Sequence, residues 1–455
     1  MRVIVIGAGD VGQNIARTLS GEGQDVILVD SDSTRVMSLV GHIDGMVVRG
    51  NGASPRFLET IDAGTADLLL AVTQSDEVNV IAALASHQLG ASRTVARVRD
   101  SEYFGSSRAT AHDVLGIDFV IHPERAVAED LADAIMLPGA VQVEYFGLTD
   151  RQVGDRSGRM GVAQVIVTDR SPLTGVPLQD IKRPRPCYVV GYIRDGVPHT
   201  ARGSTQLACG DHALIAAARD DLPRVVEFMA GQVRKARDVV LLGGGKIGLT
   251  VARYLERQPG MHVVLMEHDA QLAREAAEKL DRTLVLHEEG VSKDVLLEHG
   301  VDQAGAFVAC SADDRTNLLA SMHAKQLGAS LVLSVVSREE FMPLVSGLGI
   351  DAAFSPRLAT AEEILRFVRG DSVQAMQLLI GGAELIEVKV DGGADICGRP
   401  LRSCGLPAGC EVAAILRDGE VRMPTAQEEI FPDDRVLLFG LHGTSARVQE
   451  RFDAR

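Results

Sequence analysis

Short apolar runs closed by glycine alternate along the chain with stretches in which apolar residues recur at helical spacing. VIVIG (3–7) and VVLLG (239–243) are β-branched runs of the kind expected for parallel strands buried on both faces. After each, apolar residues fall at i, i+4 and i+8, as Val11, Ile15 and Leu19 or as Ile247, Val251 and Leu255, which predicts an amphipathic helix. A second strand follows, DVILVD or HVVLME. Strand, crossover helix and strand make a βαβ unit, and its repetition predicts an α/β fold with a doubly wound, Rossmann-like parallel sheet. Elsewhere the pattern changes. ELIEVKV (384–390) alternates apolar and charged residues, predicting a small α+β module whose sheet is wetted on one face. His122-Pro123 and Ser355-Pro356 each place proline at the first position of a predicted helix. Val127, Leu131 and Ile135 form one stripe of the first such helix, which is either a strut within one subunit or a helix that crosses to a partner subunit.

The pattern occurs twice. GAGDVGQNIARTLS (7–20) aligns with GGGKIGLTVARYLE (243–256), AVTQSDEVN ending at Asn79 with ACSADDRTN ending at Asn317, and HQLGAS (87–92) with KQLGAS (325–330). LGIDFVIHP (115–123) then pairs with LGIDAAFSP (348–356), TGVPL (174–178) with CGRPL (397–401), and IRDG with LRDG. Matches in constant order mean a tandem duplication of roughly 230 residues, each copy a larger N-lobe followed by a smaller C-lobe. The expected parts are N-lobe 1 (1–122), a crossover helix (123–140), C-lobe 1 (141–226), N-lobe 2 (236–355), a second crossover helix (356–371) and C-lobe 2 (372–455).

Charge and composition narrow the function. With 62 acidic against 46 basic residues the net charge is −16, which argues against nucleic acid or an anionic lipid surface as the main partner. Met1 leads straight into an apolar strand rather than the charged, apolar and cleavable layout of a secretion signal, and no apolar run approaches the roughly 20 residues of a membrane span. A soluble, cytoplasmic protein is expected. The six cysteines never form a C-x-x-C pair, and even the cluster Cys397, Cys404 and Cys410 reads as reduced structural thiols rather than a metal site.

Two glycine motifs carry the candidate chemistry: Gly7-Ala8-Gly9-Asp10-Val11-Gly12 and Gly243-Gly244-Gly245-Lys246-Ile247-Gly248. In G-x-G-x-x-G between a strand and a helix, the first glycine permits the tight turn. The second lets a pyrophosphate approach the backbone, and the third lets helix and strand pack closely. Free N–H groups and the positive end of the helix dipole attract phosphate. Asp30 and Glu267 end the next strands, 18 and 19 residues after the last glycines, near the spacing at which a carboxylate binds ribose hydroxyls and repels a 2′-phosphate. That favours NAD(H), or another adenine nucleotide, over NADP(H).

Thr73-Gln74-Ser75-Asp76 and Ser311-Ala312-Asp313-Asp314 open the helices after a buried strand, reading both as capping boxes and as loops at the ligand edge of the sheet. Asn51 follows the third strand in the same neighbourhood. Arg97 and Arg99 are in reach of phosphate, with an exposed ion pair as the alternative, whereas the second copy has Ser334-Val335-Val336 in that strand, so the two sites are expected to differ. His87 reads as an exposed helix residue and Cys310 as a buried small hydrophobe. None of the 12 histidines forms H-E-x-x-H, no G-x-S-x-G or P-loop appears, and no acid–base pair is nominated for hydride transfer, so no catalytic residue and no metal ligand are assigned.

Together GAGDVG, VILVD, GNGASP, ADLLLAVTQSDEVN, TVARVR, IDFVIHPE and the closing GRPL…ILRDG…DDRVLLFG resemble the TrkA family, the regulators of Trk-type potassium uptake, over essentially the whole chain. The resemblance implies two tandem RCK (regulator of potassium conductance) units and a non-catalytic gating subunit. It would lie at the cytoplasmic face of the inner membrane, as a homo-oligomeric ring under a potassium transporter of the TrkH or TrkG kind. It further implies nucleotide contacts from Gly7 to Val11 and from Asp30, Asn51, Thr73, Gln74 and Arg97, and in the second copy from Gly243 to Ile247 and Glu267, with NAD(H), ATP or ADP as ligand. The second copy departs from the family pattern in its HEEGVS loop and its missing arginines. An NAD-dependent oxidoreductase and a passive scaffold with empty lobes are the competing readings.

Overall fold

The computed structural model describes residues 1–21, 23–99, 116–137, 139–147, 159–231, 236–342, 344–368, 373–378, 383–441, 448 and 451–452. The first parallel sheet comprises β1 (Arg2–Ile6), β2 (Asp25–Asp30), β3 (Met46–Arg49), β4 (Leu68–Ala71), β5 (Thr94–Arg97) and β6 (Phe119–Ile121), in the order β3-β2-β1-β4-β5-β6. Its helices are α1 (Asp10–Gly21), α2 (Ser33–Leu39), α3 (Pro55–Thr60) and α4 (Asp76–Leu89). The order reverses direction between β1 and β4, the switch point at which doubly wound sheets bind ligands beyond the carboxyl ends of their strands. Val3, Ile4 and Val5 are fully buried, and Val11, Ile15 and Leu19 are buried on the sheet-facing side of α1, as the periodicity predicts.

After α5 (Pro123–Met136), whose stripe Val127, Leu131 and Ile135 is buried, comes a five-stranded sheet. It holds β7 (Ala140–Phe146), β8 (Met160–Ile166), β9 (Cys187–Arg194), β10 (Val197–Thr200) and β11 (His212–Ala218), in the order β10-β9-β11-β8-β7, with antiparallel pairings and α6 (Leu222–Ala230) on one face.

The second copy repeats both parts. Strands β12 (Asp238–Leu242), β13 (His262–Glu267), β14 (Leu284–His287), β15 (Ala306–Ala309), β16 (Val332–Val335) and β17 (Ala352–Phe354) form a parallel sheet in the order β14-β13-β12-β15-β16-β17. Helices α7 (Lys246–Leu255), α8 (Ala270–Lys279), α9 (Lys293–Glu298) and α10 (Asp314–Leu327) connect them. Then α11 (Pro356–Val368) leads to β18 (Val373–Leu378), β19 (Glu384–Lys389), β20 (Cys410–Arg417), β21 (Glu420–Arg422) and β22 (Arg435–Gly440), in the order β18-β19-β22-β20-β21. The last three residues of the expected crossover helix, 369–371, lie outside the described residues. The C-lobes share small devices as well as strand order. Arg194 grips Asp211 at 2.6 Å and Arg417 grips Asp434 at 2.7 Å, each closing the same arch.

Two compact units emerge. One is the first N-lobe together with α11; the other holds the remaining lobes. Within the first unit, α11 comes from the second repeat yet packs on α1. Phe367 stacks on Phe119 with ring centroids 5.1 Å apart, and Arg93 lies over the Phe367 ring while donating to its carbonyl at 3.1 Å. This crossover between repeats concerns α11; on α5, for which a strut and a subunit-crossing helix were the two expectations, the stripe Val127, Leu131 and Ile135 is already buried within the chain itself.

In the second unit the two C-lobe sheets bury a common core, in which Phe146, Met160, Val190 and Leu214 meet Leu385, Ala414, Leu437 and Phe439. The one-face-wetted expectation for β19 is therefore wrong. Residues 384 to 388 are all buried and only Lys389 is exposed, because the face that one module alone would leave in water is covered by the other repeat. His87, expected to be exposed, is half-buried, with its Nδ1 enclosed.

Candidate functional site

Both glycine turns stand at the switch points of their sheets. Gly7 has φ +108° and Gly243 φ +115°, a left-handed region that a side chain rarely enters, and a Cβ on either would crowd the backbone N of Thr73 or Ser311 at 2.9 or 2.6 Å. The β1 turn and the β4 loop are thus in contact, as are their second-copy counterparts. Gly12 and Gly248 pack under the turns, where a Cβ would fall 1.8 or 1.9 Å from the carbonyl oxygen of Gly7 or Gly243.

The middle glycines differ. Around Gly9 and Gly245 a Cβ would meet no atom within 4 Å, and neither residue has a positive φ. Nothing in the chain's own packing demands glycine there. The room it leaves lies over the first turn of α1 or α7, where N–H groups before Gln13 and Leu249 precede the first intrahelical bonds, Gln13 N–H to Gly9 O and Leu249 N–H to Gly245 O, each 2.9 Å.

An acid stands beside each turn. Asp30 is buried and accepts from the N–H of Ala8 at 2.8 Å and of Asp32 at 2.9 Å, with the Arg35 guanidinium 3.2 Å away. Glu267 repeats this with the N–H of Gly244 at 2.6 Å and of Asp269 at 2.8 Å, with His268 Nδ1 2.8 Å away. Asn51 lies one residue beyond Gly50, whose N–H donates to Asp30 O, and Gly52 sits against Ile6; this brings Asn51 to the same edge.

The β4 loop is held by an asparagine that the sequence reading aligned but gave no role. Asn79 is fully buried. Its Oδ1 accepts from Thr73 N–H (2.8 Å) and Thr73 Oγ1–H (2.7 Å), and its Nδ2 donates to the carbonyls of Thr73 (3.0 Å) and Arg97 (2.8 Å). Asn317 makes the equivalent bonds to Ser311 and Val335. The presence of asparagine at both aligned positions was the signal available. Asn79→Ala should lower stability by about 2–3 kcal/mol, since several buried polar groups lose their partner together, and urea denaturation would measure the loss. Ser75 caps α4 by accepting from Val78 N–H at 3.2 Å, so the capping reading holds too.

Of the two arginines, Arg99 takes the ion-pair role, with its N–H on Asp76 at 2.9 Å, its guanidinium 3.5 Å from that carboxylate and a further bond to the Gln74 carbonyl. Arg97 is half-buried, with Nε enclosed and lacking a hydrogen-bond partner among the described residues. Burial pushes its guanidinium pKa down, Glu124 and Asp76 pull it up, and Arg99 and Arg357 push it further down. Val335 stands in its place in the second copy, and the third-strand loop of that copy carries Glu288 and Glu289 where the first has Gly50 and Asn51. Cys310 is buried under the second turn, its thiol pushed up to about 12 by burial, and its S–H points at Gly243 O at 3.6 Å; it behaves as the small hydrophobe expected.

Two family descriptions match the chain twice each: the TrkA-N domain over residues 3–123 and 239–356, and the TrkA-C domain over 162–230 and 385–453. A Trk system potassium uptake protein TrkA from Halomonas elongata is 34% identical over 459 residues, covering 99% of this chain and 98% of that protein. One from Azorhizobium caulinodans is 33% identical over 460 residues, with coverage of 99% and 98%. Among solved structures, the GsuK channel bound to NAD superposes with a TM-score of 0.63 at 17% identity, over 100% of this chain and 79% of that one. The GsuK RCK domain does so with a TM-score of 0.63 at 16% identity, over 100% and 95%. These two likenesses are of fold.

Proposed function

This chain belongs to the TrkA family, and on that premise we propose that it is a nucleotide-binding gating subunit of a Trk-type potassium uptake system, acting by binding without turnover. The observation that carries the reading is the unfilled room at Gly9 and Gly245 above two helix N-termini, each beside a buried acid. In the first site a diphosphate fits against the first-turn N–H groups of α1, Asp30 and Asn51 face the ribose, and Thr73, Gln74 and Arg97 close the opposite side. In the second, Gly243 to Gly248 and Glu267 have the corresponding roles, without an arginine.

NAD(H) is the ligand favoured by the acids, with ATP or ADP as alternatives. A nucleotide that fits one arrangement of the lobes better than another shifts the protein toward it, by no more than its difference in affinity, about 1–3 kcal/mol per site. Several chains in a ring would add these contributions, and a membrane transporter of the TrkH or TrkG kind at the cytoplasmic face would feel the sum. The lobes bounded in the sequence are the moving parts of this scheme. No helix among the described residues is long and apolar enough to cross a membrane.

Thermal melts with NADH, NAD, ATP and ADP test binding, since a ligand that prefers the folded state raises the midpoint. Asp30→Ala should weaken the first site about ten- to hundredfold, the worth of a hydrogen bond to a charged group, in calorimetric titrations. Co-reconstitution with the neighbouring transporter and ion-flux assays test gating. Steady consumption of NADH by the pure protein would instead favour the oxidoreductase.

A further inference from the structure

We propose that Arg357, delivered by the crossover helix of the second repeat, completes the electrostatics of the first nucleotide site by neutralising Asp10 inside its phosphate turn. The inference rests on the nucleotide reading above and adds a route by which that site is tied to the second repeat. Arg357 Nη1 forms an ion pair with Asp10 Oδ2, and Arg357 also lies close enough to Arg97 to act on it.

The two charges differ in how well they suit their own helices. Asp10, as the first residue of α1, suits that helix's positive end, but it places a carboxylate beside the space a diphosphate would enter. Arg357 is the second residue of α11, where a cation opposes the helix dipole and gains nothing from its own helix. Glu124, at the matching position of α5, is the locally favoured choice. Arg357 is accounted for by its partner instead.

The second repeat exchanges both signs. Lys246 stands where the first turn has Asp10, and Arg357 stands where the first crossover helix has Glu124. A glutamate-led helix on the Asp10 turn would bring two carboxylates together.

Both partners are partly exposed, with side-chain exposures of 32% and 61%, so the pair itself adds little to folding. Its effect on an anion at the turn is larger, because removing Arg357 leaves an uncompensated negative charge there. By reciprocity, a bound nucleotide strengthens the docking of α11 as much as docked α11 strengthens the nucleotide.

Titration calorimetry on the full chain carrying Gly245→Leu, so that only the first site reports, tests this with NADH and ADP. Arg357→Gln should bind about tenfold more weakly, a typical coupling. Arg357→Lys should bind within about twofold of the parent, and Asp10→Asn combined with Arg357→Gln should recover the parent affinity, because the carboxylate that needed neutralising is gone. The loss in Arg357→Gln should shrink in 1 M salt, where screening is about 3 Å. Unchanged affinity in Arg357→Gln, or a loss that Asp10→Asn does not rescue, would overturn the proposal while leaving nucleotide binding standing. A parent that binds neither nucleotide would remove both together.

Discussion

Gly9→Leu should lower nucleotide affinity at the first site by at least about a hundredfold while leaving the melting temperature of the ligand-free protein nearly unchanged. The backbone of Gly9 is outside the glycine-only region, and a Cβ there meets nothing within 4 Å, so the fold has room for a side chain. As the residue before α1, Gly9 is at the N-cap position, where leucine is the poorer residue by about 1 kcal/mol, a small loss for the ligand-free fold beside the expected loss of affinity. A ligand that uses the same room has no such tolerance. Gly12→Ala is the control with the opposite signature. A single methyl would sit 1.8 Å from Gly7 O, and overpacking of that kind costs about 1–3 kcal/mol or more, outweighing the roughly 1 kcal/mol helix preference for alanine. Calorimetric titration and thermal melts on both variants separate the two glycines. Full affinity in Gly9→Leu would mean that the open room is not where phosphate binds.

The largest loss of stability is expected from Arg435→Met, about 3–5 kcal/mol at neutral pH, the usual consequence of stranding a buried charge. Glu387 is 1% exposed within the core shared by the two C-lobes. One carboxylate oxygen accepts from Gly147 N–H, contributed by the other repeat, at 2.9 Å; the other lies 2.8 Å from Arg435 Nε, near enough for ionic attraction though poorly aligned for a hydrogen bond. Burial pushes the Glu387 carboxyl up, while Arg435 and the Gly147 N–H pull it down. A carboxyl whose folded pKa is raised binds its proton more tightly when folded, so its contribution is most favourable below the unfolded value and is lost as pH rises through the folded one. Without Arg435 that window widens upward. Arg435→Met should therefore regain stability as the solution is acidified from neutrality, and Glu387→Gln in the same background should recover much of the loss at neutral pH. Urea denaturation at several pH values measures both effects.

Much of this architecture was legible in one dimension. The strands, the helix stripes, the twofold repeat and both glycine turns follow from local periodicity and from residues that must lie close together in the chain. The acids Asp30 and Glu267 were legible for the same reason, since a single βαβ unit brings them to their turns.

Asn79 and Glu387 show where local pattern ends. Asn79 has a polar side chain at a helical position and shows its purpose only when β4, β5 and α4 meet around it. Glu387 belongs to a strand whose charges read as solvent-facing, yet it is buried against the opposite repeat and only Lys389 reaches solvent.

The amino-acid order by itself determined the element types and the two phosphate-type turns, because these depend on backbone sterics and on periods of two to four residues, and the duplication, because matching segments recur in the same order in both halves. Tertiary structure alone decided that α11 lies on the first N-lobe, that Arg357 meets Asp10 and that a glutamate is buried between the C-lobes. Each joins segments more than two hundred residues apart, and burial by a distant surface leaves no imprint on local periodicity.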